Sequence, residues 1–470
     1  MTPLALHPDR LFPADPATRA LARAIHDGIK DLPIVSPHGH TDPAWFATNA
    51  PFPNPTDLLI VPDHYVLRML SSQGIPLSAL GVPTRDGTPH ATDLRAAWRL
   101  FARHYHLFRG TPSRLWLDWV FAEVFGLAVR LEEASADLYY DTIDAALKTD
   151  AFRPRALYER FGIELIATTE SPLDPLDHHR AIRESGWRGR VVTAYRPDPV
   201  MDPEAPGFAD NLRRFGEVSG EDIATFAGYL AAHRARRAFF RAAGATSTDH
   251  GHPSAFTANL PAAEIRALYA KVRAGTTDPA EAELFRGHML TEMARMSIED
   301  GMVMQLHPGV YRNHNPALLA VHGRDKGADI PLAGEFVRAL KPLLDAHGSD
   351  PRLTLIVFTL DEDVYARELA PLAGHYAALR LGPPWWFHDS PEGMRRFRER
   401  VTETAGFYNT VGFNDDTRAF LSIPARHDVA RRMDSAFLAR LVAEHQLDEA
   451  EAHDIARALT YDLVKQAYRL

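Results

Sequence analysis

The sequence predicts an α/β chain folded as a (β/α)8 TIM-type barrel, with helical insertions after the first strand and around the fourth. Three observations lead there. Eight short apolar runs alternate with longer helical patterns, the signature of βα units and a parallel sheet. The chain has neither an internal repeat nor a low-complexity tract. Polar residues with chemical capacity gather at the carboxyl ends of the runs, where barrels carry their sites.

The eight candidate strands are Leu32–His38, Ile163–Thr168, Arg190–Tyr195, Ala243–Thr248, Met302–His307, Leu353–Thr359, Ala377–Leu381 and Thr410–Asn414. Eight runs suit a closed barrel, and an open doubly wound sheet is the alternative. The third, fourth and seventh rest on runs that a buried helix would also show. About 125 residues separate the first two strands, far more than a βα unit needs. Residues 45–160 therefore read as a helical insertion, with helical periodicity over Leu94–Tyr105 and Ser113–Phe125. Further insertions are expected over roughly 206–241 and 253–298. Residues 1–470 read as one barrel domain carrying these additions.

Composition limits the function. Of 470 residues, 46% are hydrophobic and 24% charged, enough to bury a large core. The net charge of −9 argues against a nucleic-acid binder, which normally shows a basic footprint. Cysteine is absent, so thiol catalysis, disulfides and thiolate metal sites are excluded. A metal would have to sit on His, Asp, Glu, backbone oxygen or water. The start, MTPLALHPDRLFPADP, lacks the basic-then-apolar pattern of a signal peptide. No segment approaches the ~20 apolar residues of a membrane span. A cytoplasmic protein without a membrane partner is expected, and a homo-oligomer is the expected assembly.

The chemistry-bearing residues fall at strand ends. His38-Gly39-His40 closes the first strand. Residues two apart in a strand share a face, so both imidazoles can aim at one point, with Asp42 just after. Two loop histidines without a common task are the alternative. His307 ends the fifth strand, as a ligand, an acid or base, or simply a histidine bonded to a loop carbonyl. Arg312, Asn313 and Asn315 follow it, groups suited to hydroxyls or a carboxylate. Asp416 follows the eighth strand; with the first-strand pair it makes a three-ligand open metal site. Asp415 competes for that place, and a helix-capping role is the alternative for either. Arg418 could grip a carboxylate in a fork or lie solvated. Asp63-His64-Tyr65, with Arg68, could polarise a carbonyl, or Tyr65 could be structural. Arg196 could meet an anion or pair with Asp198. Asp249 and His250 could support the ligands from behind. Trp385 and Trp386 could wall a sugar site or pack in the core.

These motifs, in this order, resemble the uronate isomerase family, a branch of the amidohydrolase superfamily. They are PHGH at Pro37–His40, DHYVLR at Asp63–Arg68, YRPD at Tyr195–Asp198 and DHG at Asp249–Gly251. QLHPGVYRNHN at Gln305–Asn315, WWFHDSPEGM at Trp385–Met394 and DDTRAFLSIPARHD at Asp415–Asp428 complete the set. The likeness implies a distorted barrel that interconverts D-glucuronate with D-fructuronate and D-galacturonate with D-tagaturonate. It further implies one divalent metal, usually zinc, on His38, His40 and Asp416. Catalytic parts fall to Asp416, His64, Tyr65 and His307, and substrate binding to Arg418, Arg196, Arg312, Trp385 and Trp386. Two places depart from the commoner pattern: His307-Pro308-Gly309 in place of HIG, and Asn414-Asp415-Asp416-Thr417-Arg418 in place of LTDSR.

Aldose–ketose conversion moves a proton between adjacent carbons through an enediol, with Asp416 or a group it activates as base and Tyr65, aided by His64, as electrophile. Binuclear members of the superfamily bridge their metals with a lysine near the fourth strand. The six lysines here are Lys30, Lys148, Lys271, Lys326, Lys341 and Lys465, none of them there. A single-metal site is therefore expected. A mononuclear hydrolase, a decarboxylase and a non-catalytic sugar-acid binding protein are the alternatives.

Overall fold

The computed structural model describes residues 2–470. Nine strands occur: β1 (Ile34–Ser36), β2 (Ile163–Glu170), β3 (Arg190–Tyr195), β4 (Ser247–His250), β5 (Val303–Leu306), β6 (Val310–Tyr311), β7 (Ile330–Pro331), β8 (Leu355–Val357) and β9 (Leu379–Leu381). Seven form one parallel sheet in the order β1-β2-β3-β4-β5-β8-β9, while β6 and β7 pair antiparallel in a separate ribbon. The ribbon was not expected; its strands are two residues each, too short to carry an alternating pattern.

The eighth barrel position is filled by chain without a ladder. Thr410 makes one parallel bridge to Leu381. The Leu381 N–H donates to the Asn409 carbonyl at 2.9 Å, and the Val411 N–H to the Leu381 carbonyl at 3.1 Å. Farther along, the His40 N–H donates to the Thr417 carbonyl at 3.1 Å. Residues 410–417 thus link β9 to the chain just past β1, and the barrel is distorted at that seam. The predicted strand fails because Gly412 sits at φ +75°, outside the extended region. A Cβ there would lie 2.4 Å from the Leu459 carbonyl, so the C-terminal helical segment occupies the space beside it.

The fourth strand is also displaced from its predicted place. Ala243 caps the helix Phe226–Ala242, and Gly244 turns the chain at φ +99°. The strand is Ser247-Thr248-Asp249-His250, entirely polar and entirely buried. Asp249 and His250 lie within it rather than beyond it. Hydropathy points to the neighbouring alanines because the true strand spends its side chains on polar contacts.

Alternation sorts the remaining strands. Val35, Val303, Ile356 and Val411 meet in one buried cluster with Tyr468, the barrel interior. Ile34, Met304, Leu355 and Val357 pack outward into two larger clusters shared with helices. The Tyr468 hydroxyl accepts from Asn414 Nδ2 at 3.0 Å and donates to Gln305 Oε1 at 2.9 Å, tying the C-terminus to β5 and the seam. Between β1 and β2 the regular structure is all helical, including Leu94–His104 and Pro112–Trp119. Trp98, Phe101, Phe121 and Tyr139 form its buried centre.

Glu170, at the end of β2, accepts a hydrogen bond from the Thr193 hydroxyl. Burial raises its carboxyl to about 7, against the hydrogen bonds from Thr193 and Thr168. A raised folded-state value means that ionisation opposes folding, so its favourable contribution is complete below the unfolded value and lost as pH climbs through 7. Glu170→Gln should therefore stabilise the protein by about 2 kcal/mol at pH 8.5 and by little at pH 4.5. Urea unfolding at both pH values checks this; an equal effect at both would contradict it.

Candidate active site

Past Ser36 the chain leaves the sheet, so the two first-strand histidines are held by a loop rather than by strand alternation. They still converge. His38 Nε2 lies 3.5 Å and His40 Nε2 3.2 Å from Asp416 Oδ1. Gly39 lies between them against the Thr417 backbone, where a Cβ would come within 3.4 Å of the carbonyl, ordinary contact. Asp416 takes φ +37°, an uncommon conformation for a residue with a side chain and one that marks a locally constrained site. Asp415, the competing candidate, turns away and pairs with His427 at 3.1 Å.

His307 joins the group. Its ring stacks on His38 at 4.6 Å, and one donor atom each of His38, His307 and Asp416 lies within 4.8 Å of the others. His307 Nδ1 is bonded to Asp249 Oδ1 at 2.7 Å, which leaves Nε2 for the site. His307 Nε2 and Asp416 Oδ1 are buried and lack a hydrogen-bond partner. Such orphans in a folded interior call for a ligand or ion. Donors on one four-coordinate ion stand roughly 3.4 Å apart, close to the two distances at Asp416. Burial lowers the His40 and His307 pKa values, with Asp416 and Asp249 opposing. Burial raises the Asp416 carboxyl, but His38, His40 and His307 outweigh it and hold it below the usual carboxylate range. The lowered His40 and His307 values and the ionised Asp416 give the protonation states that metal binding needs. The residues present fit a divalent metal.

Behind this floor sits a charge chain. Asp249, fully buried, receives His307 on one oxygen and Arg196 Nη1 on the other at 2.9 Å. Arg196 Nε donates to Asp198 Oδ2 at 2.8 Å. The ion-pair reading of Arg196 is thus realised, doubled by Asp249.

The helix His64–Ser72 supplies one wall. Asp63 caps it, accepting from the Tyr65 and Val66 N–H groups at 2.8 and 3.2 Å. The Tyr65 hydroxyl donates to the Trp386 carbonyl at 3.3 Å. His64 stacks on Tyr65 at 4.5 Å; burial, with Arg418 and Arg426 adding, pushes its pKa down to about 3. Burial raises the Tyr65 pKa, so the phenol stays protonated. Trp385 meets the His307 ring edge-on at 4.8 Å, and Arg312 lies 5.3 Å over Trp386. Both indoles face the cavity.

The cavity encloses about 540 Å³, with His38, His40, His307 and Asp416 at its floor and Arg196, Arg312, Arg418 and Arg426 around it. Arg312 pairs with Asp329 at 3.0 Å, and Arg418, partly exposed, with Asp325 at 3.2 Å. All eleven site residues expected from the sequence line this space. Two partners were not singled out. Arg426, 2% exposed, lies 3.6 Å over Trp116 and 5.4 Å from the Tyr65 ring, and pairs with Asp389. Both belong to the motifs quoted above, and a charge on the inner face of the helix Ile423–Ala443 was the available signal. The Gly323–Gly327 loop was also missed. A Cβ on Gly327 would fall 2.8 Å from the His64 carbonyl, so the loop closes directly on the wall.

Among the described residues no helix is long and apolar enough to cross a membrane. The family profile described as glucuronate isomerase matches residues 17–468. A uronate isomerase of Xanthomonas axonopodis pv. citri is 68% identical over 467 residues, covering 99% of both chains. The crystal structure of glucuronate isomerase from Caulobacter crescentus superposes with a TM-score of 0.98 at 64% identity, over 99% of this chain and 97% of that one. Uronate isomerase from Thermotoga maritima gives 0.91 at 25% identity, over 99% of each. With a profile covering nearly its whole length and full-length relatives at this identity, the chain belongs to the glucuronate isomerase family.

Proposed function

We propose that this chain is an aldose–ketose isomerase of hexuronates, interconverting D-glucuronate with D-fructuronate and D-galacturonate with D-tagaturonate. One observation carries the reading: three imidazoles and the Asp416 carboxylate converge on the floor of an arginine-ringed cavity in a member of this family. About 540 Å³ suits a small ligand with water.

The ion, which we take as zinc, would be held by His38, His40 and Asp416 with His307 adjacent. When bound it supplies Lewis acidity toward substrate oxygens. Asp416 is the proposed base. It is ionised, and Oδ1 lies 3.2 Å from His40 Nε2 and 3.5 Å from His38 Nε2 at the cavity floor. Its lowered value makes it a weak base, so charge developing on the carbonyl oxygen must be met by a hydrogen-bond donor. Tyr65 serves there: its protonated phenol already donates to a carbonyl, that of Trp386. Removal of the proton beside the carbonyl and its delivery to the carbonyl carbon then pass through an enediol. His64, neutral near pH 7, holds the Tyr65 ring rather than relaying a proton.

The arginines divide by their partners. Arg196 is committed to two carboxylates and acts as scaffold for Asp249. Arg418 has one partly exposed partner and sits two residues from Asp416, so we assign it the substrate carboxylate, with Arg312 beside it. Trp385 and Trp386 wall the sugar.

The direct test offers D-glucuronate, D-galacturonate, simple amides and lactones, and follows the carbonyl position by NMR. Conversion of the uronates alone is expected; hydrolysis of an amide or lactone without uronate turnover would refute the reading. Asp416→Asn should lower kcat on the order of 10³-fold with unchanged circular dichroism. Near-native turnover would remove Asp416 from catalysis. Arg418→Met should raise KM by roughly 10- to 100-fold more than it lowers kcat, as loss of a charge-assisted hydrogen bond predicts. An unchanged KM would reassign the carboxylate. Chelation should lower Tm by a few degrees, and Zn²⁺ should restore it. A Tm indifferent to both would argue against a bound ion.

A further inference from the structure

The opposite face of β4 carries a second convergent group. Neighbouring side chains in a strand point to opposite faces, so His250 points away from Asp249 and its bond with His307. His250 and His252 are buried, at 0% and 5% exposure. One nitrogen of each and one Asp198 oxygen lie within 4.8 Å of one another. His250 Nδ1 and His252 Nε2 have no hydrogen-bond partner. His252 Nε2 is 3.9 Å from Asp198 Oδ1, too far for a hydrogen bond. Asp198 Oδ2 accepts from Arg196 Nε at 2.8 Å and from the Gly251 N–H at 3.0 Å, and Oδ1 accepts only from that same N–H at 3.2 Å, which leaves Oδ1 lone-pair capacity. Orphaned nitrogens beside a carboxylate oxygen form an incomplete polar network as protein alone, and one cation completes it.

We propose that Asp198, His250 and His252 form a second divalent-metal site, specific for zinc-class ions. Two imidazoles and one carboxylate are a borderline donor set, suited to Zn²⁺, Co²⁺ or Ni²⁺ and not to Mg²⁺ or Ca²⁺, which take oxygen donors. Burial keeps both imidazoles neutral, with their lone pairs available. Donor spacing on a four-coordinate ion is roughly 3.4 Å, so the 3.9 Å edge closes by about half an ångström on binding. The charged groups facing His252 are Asp198, Asp202, Arg196 and Arg286. Arg196 bridges this site and the barrel floor, with Nη1 on Asp249 and Nε on Asp198, and Asp198 itself reaches the wall of the cavity. An ion here fixes Asp198 and through it the guanidinium behind the mouth. The role is structural, and it does not rest on the isomerase reading.

The test is Co²⁺ titration of the metal-stripped full-length protein, followed by visible absorption and by metal analysis after desalting. Wild type should retain two equivalents. His252→Ala and the conservative His252→Gln should each retain one, and the His38→Ala/His40→Ala double variant should also retain one. Combining all three alanine changes should leave none. Far-UV circular dichroism of each variant identifies any that fails to fold, and whichever His252 variant folds gives the answer. Equal retention by wild type and a folded His252 variant overturns the proposal. If wild type retains a single equivalent that survives in the double variant and is lost with His252, the site on β4 stands and the barrel-mouth ion falls.

Discussion

The hydrogen bond from the His40 amide to the Thr417 carbonyl is the constraint on which the site depends. It joins chain from near the beginning to chain from near the end. It fixes Gly39 against Thr417 and places both imidazoles over the one carboxylate between them in space. The unusual backbone of Asp416 belongs to the same arrangement. A residue constrained in this way is pre-aimed, and the cost of aiming it is met by the fold before any ligand arrives.

Around that clasp the structure keeps almost every buried charge paired. Asp249 serves His307 and Arg196 together; Arg196 serves Asp249 and Asp198; Arg426 serves Asp389 beneath the Tyr65 ring. A buried charge without a partner is expensive, so these groups are organised as chains. The depth of each pairing sorts scaffold from working surface. Doubly paired, buried arginines hold other residues in place. Arg418, singly paired and partly exposed, can exchange its partner for an incoming carboxylate at modest cost because both states are partly solvated.

Much of this was legible in the chain and some was not, for identifiable reasons. Strands such as Val303–Leu306 and Leu355–Val357 declare themselves because their side chains are mainly apolar and the sheet buries both faces. Ser247–His250 hides because each residue is polar and its burial is satisfied by contacts invisible in one dimension. Thr410–Asn414 reads as a strand by composition, and only the positive φ of Gly412 and the helical segment packed against it show why no ladder forms. In the site, His38, His40, His307 and Asp416 stand out in the chain because ligand chemistry restricts residue type, and the fold brings them side by side. Arg426 gives a fainter signal, a charge on the inner face of a helix, and its stacking on Trp116 is invisible in one dimension. Between Asp415 and Asp416 the strand-end position alone does not choose; the motif resemblance favours Asp416, and the structure turns Asp415 away to His427.

The seam at residues 410–417 has a further consequence. The other walls of the ring are joined by parallel strand pairing, reduced to one registered pair between β3 and β4, whereas this one is held by isolated backbone contacts at its two ends and by the Asn414–Tyr468 side-chain bond. It is therefore the natural place for the ring to breathe, and breathing there would pull Asp416 away from the two imidazoles on the opposite bank. An ion held by His38, His40 and Asp416, as proposed above, would act as a rivet across the split. Substitutions at the far end of the chain, against Gly412 or around Tyr468, would then be felt as loosened metal affinity without touching the pocket at all.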